Sequence, residues 1–411
     1  MDARHTSQAR LEPLRVIDAK PDLNVYILGA GFSRDAGAPL VKDFLDVARE
    51  IYDDPNSHLH ENEKTDFQKI FDFRRFVAQA RDKFSIDLDD IEQLFGLVEM
   101  SHRLQAEISD VRDAMVYVIA KTLQVTVARQ RRRQHIQVGI QNSYKNTSPA
   151  WALATPRHSS NPNLLLPDVY SHFARFVHGD YDDPEKQNNR SNVVITFNYD
   201  LVLDGALRGV GVEPIYGLEH VSIEESGFVI EKAKNLVLLK LHGSTNWAVC
   251  SSCQRIHILR TKAADPLELR SRMCLNCKHP KLNLLLVPPS WDKSEYREVM
   301  RPVWKSAVDA LKAAKRICVI GYSMPETDMF FKFLLTLGLA ENQQLYRLIV
   351  VDFLAPHVTS ELESRYRAML EPLFQKRRFQ FFWNGFTGFL DQGAATALGR
   401  AETIQTSGVF G

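Results

Sequence analysis

Residues 25–40 read VYILGAGFSRDAGAPL. An apolar run ends in Gly29, Ala30 and Gly31, and a polar helix start follows. A strand that hands a Gly-x-Gly turn to a helix suits a nucleotide site, because glycine lets backbone pass close to a phosphate. The dehydrogenase fingerprint wants a third glycine at position 34, where this chain has Arg34; the next glycine is Gly37, in DAGAP. A Gly-x-Gly alone equally describes a tight βα turn, so the rest of the chain has to decide.

Five further runs share the texture of the first: NVVITFNYD (192–200), NLVLLKLHG (235–243), KLNLLLVPP (281–289), RICVIGYS (316–323) and YRLIVVDF (346–353). Each is nearly continuously apolar and ends in a Gly, Asn, Asp or Pro cluster, the pattern of parallel strands covered on both faces. Open α/β sheets bind ligands beyond the carboxyl ends of such strands, so the six tips are expected to face one crevice. The expected fold class is α/β, a Rossmann-like parallel sheet.

Between the first and second strands the texture is helical. Leu104, Ile108, Val111, Met115, Val118, Ile119 and Thr122 recur at helical spacing, predicting an amphipathic helix of about two dozen residues. DFQKIFDFRRFVAQA, DLDDIEQLFGLVEM and LPDVYSHFARFVHG give further helices. The expected organisation is a sheet domain over 1–45 and 190–395, a helical insertion or cap over 46–189, and a flexible tail over 396–411. The aromatic RRFQFFWNGF near the C-terminus reads as a packed strand or an assembly surface.

Bulk properties narrow the function classes. With 51 Lys and Arg against 50 Asp and Glu, the formal net charge is +1, so no polyelectrolyte drive toward nucleic acid or anionic membrane is expected. The run Arg131, Arg132, Arg133 at the end of a helix reads as a solvated face. Neither a signal-peptide core nor a membrane-length apolar run is visible, and a soluble cytoplasmic protein is expected.

Two cysteine pairs carry a sharper signal. Cys250 and Cys253 form one C-x2-C, Cys274 and Cys277 a second, with twenty residues between the pairs. Four thiolates from two tight knuckles converge tetrahedrally on zinc, which predicts a structural Zn²⁺ in a small zinc-ribbon subdomain over 248–280. Cys318, in an apolar strand, reads as a buried inert thiol.

The strand ends supply the candidate chemistry. Ser33 can cap the first helix or donate to phosphate. In TFNYD, Asn198 carries donor and acceptor on one group, and an Asx turn explains it equally well. His242, in KLHGSTNW, has the side chain suited to a general base near neutral pH, although a lone histidine is more often structural. GYSMPETD places Gly321 and Ser323 after another strand, and Asp352 ends a third, where a carboxylate can hold an adenosine ribose.

Taken together, GAGFSRDAGAP resembles the sirtuin signature G-A-G-x-S-x-x-A-G-x-P, matching at Gly29, Ala30, Gly31, Ser33, Ala36, Gly37 and Pro39. TFNYD is similar to the family's strand-end Asn-x-Asp, LHGS to its catalytic His-Gly, and GYS to its second Gly-x-Ser loop. The resemblance covers about 24–45 and 190–355, and sirtuins carry a zinc ribbon after the catalytic histidine. It implies NAD⁺ as substrate. Asn198, His242 and Asp200 would be catalytic, and Gly29, Ala30, Gly31, Ser33, Asp35, Gly321, Ser323 and Asp352 would bind the dinucleotide.

Two departures refine that expectation. Phe197 stands where deacylases have Gln, and LVKDF replaces their Asp-Phe-Arg element. Both features resemble the sirtuin-like NADase effectors of bacterial antiphage defence, which deplete NAD⁺ in abortive infection. The resemblance implies a homo-oligomer and a possible HerA-type ATPase partner. The alternatives are an NAD-dependent protein deacylase and a non-catalytic NAD or ADP-ribose-binding assembly protein.

Overall fold

The computed structural model describes residues 8–12, 22–80, 83, 86–104, 109–142, 168–179, 190–224, 234–260, 266–288, 296–324, 329–352, 356–375 and 378–392. The expected tail over 396–411 lies outside the described residues.

The strands are β1 (Gln8–Glu12), β2 (Asp22–Leu28), β3 (Arg190–Thr196), β4 (Val212–Ile215), β5 (His220–Glu224), β6 (Lys234–Lys240), β7 (Gly243–Val249), β8 (Ile256–Arg260), β9 (Asn283–Leu286), β10 (Ala314–Ile320), β11 (Arg347–Val351) and β12 (Phe379–Phe382). Seven of them form one sheet in the order β12-β11-β10-β2-β3-β6-β4, and every pairing in it is parallel. Chain order reverses beside β2: β3, β6 and β4 lie on one side, β10, β11 and β12 on the other. That is the topological switch point, where doubly wound sheets open a crevice. Five strand ends fall in one register row, with Leu28 opposite Thr196 and Ile320, Thr196 opposite Lys240, and Ile320 opposite Val351. The residues just beyond that row therefore share one edge.

Helices α1 (Phe44–Asp53), α2 (Glu61–Ala78), α3 (Ile91–Leu104), α4 (Ser109–Asn142) and α5 (Asp168–His178) fall between β2 and β3. The helix expected from about Leu104 is instead α4, which begins at Ser109 and runs 34 residues. Residues 114–120 of α4 are all buried. Such a helix is enclosed by its neighbours, so the one-face periodicity caught only part of it. Two of its polar side chains are matched inside the bundle, where Glu63 meets Lys121 at 2.8 Å and also accepts from the Tyr117 hydroxyl. Burial would raise the Glu63 pKa, but these partners hold it below the usual carboxylate range.

The remaining helices are α6 (Val202–Gly209), α7 (Pro266–Arg270), α8 (Arg297–Lys312), α9 (Met329–Ala340), α10 (Pro356–Gln375) and α11 (Gly385–Gln392). The smaller sheet runs β1-β5-β8-β7-β9 and has its own core of Ile223, Ala248, Leu259, Leu269 and Leu282. One of the six expected parallel strands belongs here: β9, from KLNLLLVPP, pairs antiparallel with β7. A short apolar run signals burial but carries no strand direction, hence the misassignment. RRFQFFWNGF provides β12, the outer strand of the large sheet.

Candidate active site

The 3-10 helix Ala30–Ala36 leaves the end of β2. Its glycines serve first to seat β10. Gly29 N–H donates to Ile320 O at 3.0 Å, and Gly31 N–H to Gly321 O at 2.8 Å. A Cβ on Gly29 would meet Gly321 O at 2.6 Å, and one on Gly31 would meet Gly321 Cα at 2.9 Å. Gly321, at φ +61°, returns the contact, since its own Cβ would lie 2.3 Å from Phe32 N. Only glycines allow backbones this close. GAG and GYS are thus locked together at the switch point.

Gly37 closes the 3-10 helix at φ 91°, in the left-handed region. A Cβ there would meet Gln130 Cβ at 2.7 Å and Thr126 O at 3.0 Å, both on α4. The displaced glycine is therefore where the insertion presses on the loop. Tyr170 of α5 braces the same helix, donating to Phe32 O at 2.7 Å and accepting from Ala36 N–H at 3.1 Å.

From β3, the Thr196 hydroxyl accepts from Asn198 N–H at 3.1 Å and orients the turn. The Asn198 amide then donates to Gly29 O at 2.9 Å and to Ser33 Oγ at 3.1 Å. Those bonds engage the amide nitrogen and leave Oδ1 as the remaining acceptor of the side chain. Ser33 in turn hydrogen-bonds the Asp200 carboxylate, and Asp200 Oδ1 accepts from Val202 N–H at 2.9 Å. Burial raises the Asp200 pKa, with Lys240 and Ser33 opposing that rise.

Lys240, two residues before His242, belongs to none of the motifs. Its Nζ donates to Asp200 O at 2.5 Å and to Asp204 Oδ2 at 3.0 Å, and Lys240 and Asp204 are each 1% exposed. Burial alone would raise the Asp204 pKa, but Lys240 and Arg208 hold it below the usual carboxylate range. A lysine inside VLLKLHG was the available signal, because a charge in a buried strand requires a partner.

His242 sits where the chain leaves β6 for β7, between the two sheets, and is 3% exposed. Gly243 must be glycine at that crossing, since at φ +78° its Cβ would meet Leu285 O at 2.1 Å. Phe197 packs edge-on against the imidazole at 5.2 Å and stacks on Tyr322 at 5.1 Å. Tyr199 and Phe330 complete the surround at 6.0 and 6.4 Å. Tyr199 also donates to Val287 O at 2.8 Å, and Val287 N–H to His242 O at 2.8 Å. The end of β9 thus reaches the site from the other sheet.

The other expected residues lie further out. Asp35 and Ser323 are exposed, and Ala30 is partly buried in the loop. Asp352 lies one strand beyond Gly321, its N–H donating to Phe382 O at 3.0 Å.

In the small sheet, the four sulfurs of Cys250, Cys253, Cys274 and Cys277 lie within 4.8 Å of one another. Cys250 and Cys277 Sγ are 3.5 Å apart, Cys253 and Cys274 Sγ 3.6 Å. Zn–S bonds of about 2.3 Å in a tetrahedron require S···S edges of roughly 3.8 Å, so the donor set fits Zn²⁺. The two knuckles match: Gln254 and Lys278, each following the second cysteine of its pair, have φ 57° and 63°. All four ligands are thiolates and no position is left open, so the metal would be structural. Cys318 is buried in β10, as expected.

No protein-family model matches the chain, and no curated protein matches its sequence. Among solved structures it is similar to a Sir2 enzyme studied for mechanism and regulation, with 12% identity, 87% of this chain and 95% of that chain covered, and a TM-score of 0.36. It is similar also to a sirtuin studied for substrate affinity, at 12% identity, 85% and 92% coverage and a TM-score of 0.32. Sir2 bound to acetylated peptide gives the same four values: 12%, 85%, 92% and 0.32.

Proposed function

We propose that this protein is an NAD⁺ glycohydrolase that cleaves the nicotinamide–ribose bond to give nicotinamide and ADP-ribose. The observation carrying this reading is the link from Asn198 to Gly29 and Ser33, made across 169 and 165 positions of sequence at the switch point. Motif pieces far apart in the chain form one hydrogen-bonded unit, with Asp200 behind it and His242 at the end of the strand beside it.

Leaving of nicotinamide builds positive charge at the anomeric carbon, an oxocarbenium-like transition state by analogy with glycoside hydrolysis. Nicotinamide leaves from a cationic ring and needs no general acid. Asn198 Oδ1 would accept from a ribose hydroxyl or the attacking water and hold it in line. His242 would take the proton, a role worth roughly 10²–10⁴ in rate, while the surrounding rings limit bulk water at its side chain. Asp200, bound to Ser33, would fix the loop. Phe197 against the imidazole favours hydrolysis over acyl transfer, because the position where deacylases carry Gln is filled by a ring.

The resemblance further supports an antiphage effector acting in the cytoplasm as a homo-oligomer, with a HerA-type ATPase as candidate partner. Met329, Phe333 and Leu337 leave one face of α9 exposed and apolar, which is compatible with assembly. Among the described residues, no helix is long and apolar enough to cross a membrane.

The test is chromatographic measurement of nicotinamide release from NAD⁺, without acyl peptide, on wild type and His242→Ala. Release by wild type that is lost in a normally folded variant is expected. Release that persists in His242→Ala refutes the histidine's role, and turnover that requires an acyl-lysine peptide establishes a deacylase instead.

A further inference from the structure

The dinucleotide reading leaves the diphosphate short of donors. The Gly29 and Gly31 amides expected to bind it donate to Ile320 and Gly321, and Phe32 N–H donates to Gly29 O at 3.0 Å. The Lys240 ammonium is committed to Asp200 O and Asp204. A diphosphate at this loop needs a cation from elsewhere.

The insertion brings one. Thr126 and Gln130 of α4 press on Gly37, at the end of the 3-10 helix that carries Ser33. The next residue, Arg131, is half-buried, whereas Arg132 and Arg133 are exposed. The run is thus split, and the expected solvated face holds only for its last two members. Arg131 Nε is shielded from solvent and has no hydrogen-bond partner. Asp200 is the charge that acts on this guanidinium, yet among the described residues no ion pair joins the two.

A desolvated guanidinium donor with nothing to bind costs stability, and such a group in a folded protein calls for an explanation. Its planar fork suits phosphate oxygens, which it can bind in bidentate fashion. We propose that Arg131 binds the diphosphate of the dinucleotide, so that the helical insertion supplies the cation of the active site. The inference rests on the dinucleotide reading above. It assigns α4 a substrate-binding role outside the motif segments.

The test is titration calorimetry of ADP-ribose with full-length wild type, Arg131→Gln and Arg131→Lys, alongside the thermal midpoint of each ligand-free protein. Arg131→Gln is expected to weaken ADP-ribose binding about 10- to 100-fold, the range of a charge-assisted hydrogen bond. Arg131→Lys should fall between, keeping the charge and losing the fork. The ligand-free midpoint of Arg131→Gln should equal or exceed that of wild type, because an unpaired buried donor is removed. Unchanged affinity in Arg131→Gln overturns the proposal and leaves the dinucleotide site standing. Unchanged affinity with a lowered midpoint would make Arg131 a structural counter-ion of Asp200. Failure of wild type to bind ADP-ribose overturns the dinucleotide reading itself, and Arg131 with it.

Discussion

Asp200 and Asp204 are both buried and share the Lys240 ammonium, yet their pKa values move in opposite directions. Asp204 has the direct ion pair, and Tyr216 Oη donates to it at 2.6 Å. The Asp200 side chain receives only neutral donors, so desolvation prevails and its pKa rises. A carboxylate whose folded pKa is raised contributes stability that is complete below its unfolded value, near 3.9, and is lost as pH rises through the folded value. Asp200→Asn keeps an acceptor for Val202 N–H and removes the ionisable group. Scanning calorimetry of this variant should give a midpoint at or above wild type near pH 8, with the gap closing toward about pH 4. A variant less stable than wild type near pH 8 would show that the carboxylate is a net stabiliser. At this scale the meeting of Gly29, Ser33 and Asn198 at one sheet edge was legible, because each follows a buried parallel strand. Lys240 and Tyr170 were not, since each matters through a contact that sequence distance hides.

Among the elements, the small sheet depends most on a group outside the polypeptide. Cys250 and Cys274 sit within its core beside Leu259, Leu269 and Leu282, so the metal and the apolar cluster hold one unit. Structural four-thiolate sites contribute on the order of 10 kcal/mol to local folding. A strong chelator, or Cys274→Ser, should therefore produce an early unfolding transition for the small sheet while the parallel sheet persists. Limited proteolysis within residues 248–286 would follow it. A single unshifted transition after verified zinc removal would contradict this. The cysteine spacing disclosed the knuckles, but not the strands around them. β5, β7 and β8 lack the continuous apolar texture of the central strands, and β9 has that texture in the wrong sheet. The extent of α4 escaped for a related reason, as its residues 114–120 are all buried and interrupt the one-face pattern.

For the whole molecule, the parallel sheet was legible because strands covered on both faces must be apolar throughout. The strand order was not, because pairing is set by crossovers that leave no local mark. That order makes β2, the first strand of the large sheet, its centre, with both neighbours arriving later in the chain. A truncated chain ending before Ala314 lacks β10 and hence the Gly321 backbone on which Gly29 and Gly31 close. Such a chain should fail to retain ADP-ribose in a pull-down, while the full chain retains it. Retention by the truncated chain would show that the loop closes without β10.

The same order has a consequence during synthesis. A ribosome finishes the GAG strand before the insertion, then the strand bearing Asn198, and reaches Gly321 after all of them. Pairing over such distances is slow, and domains fold as units once their last partner emerges. A nascent chain therefore passes through a stage in which Asn198 and His242 have emerged while the Gly321 backbone on which Gly29 and Gly31 close has not. Under the proposed glycohydrolase reading, that interval would separate synthesis from turnover, leaving the NAD⁺ supply untouched until Gly321 has emerged.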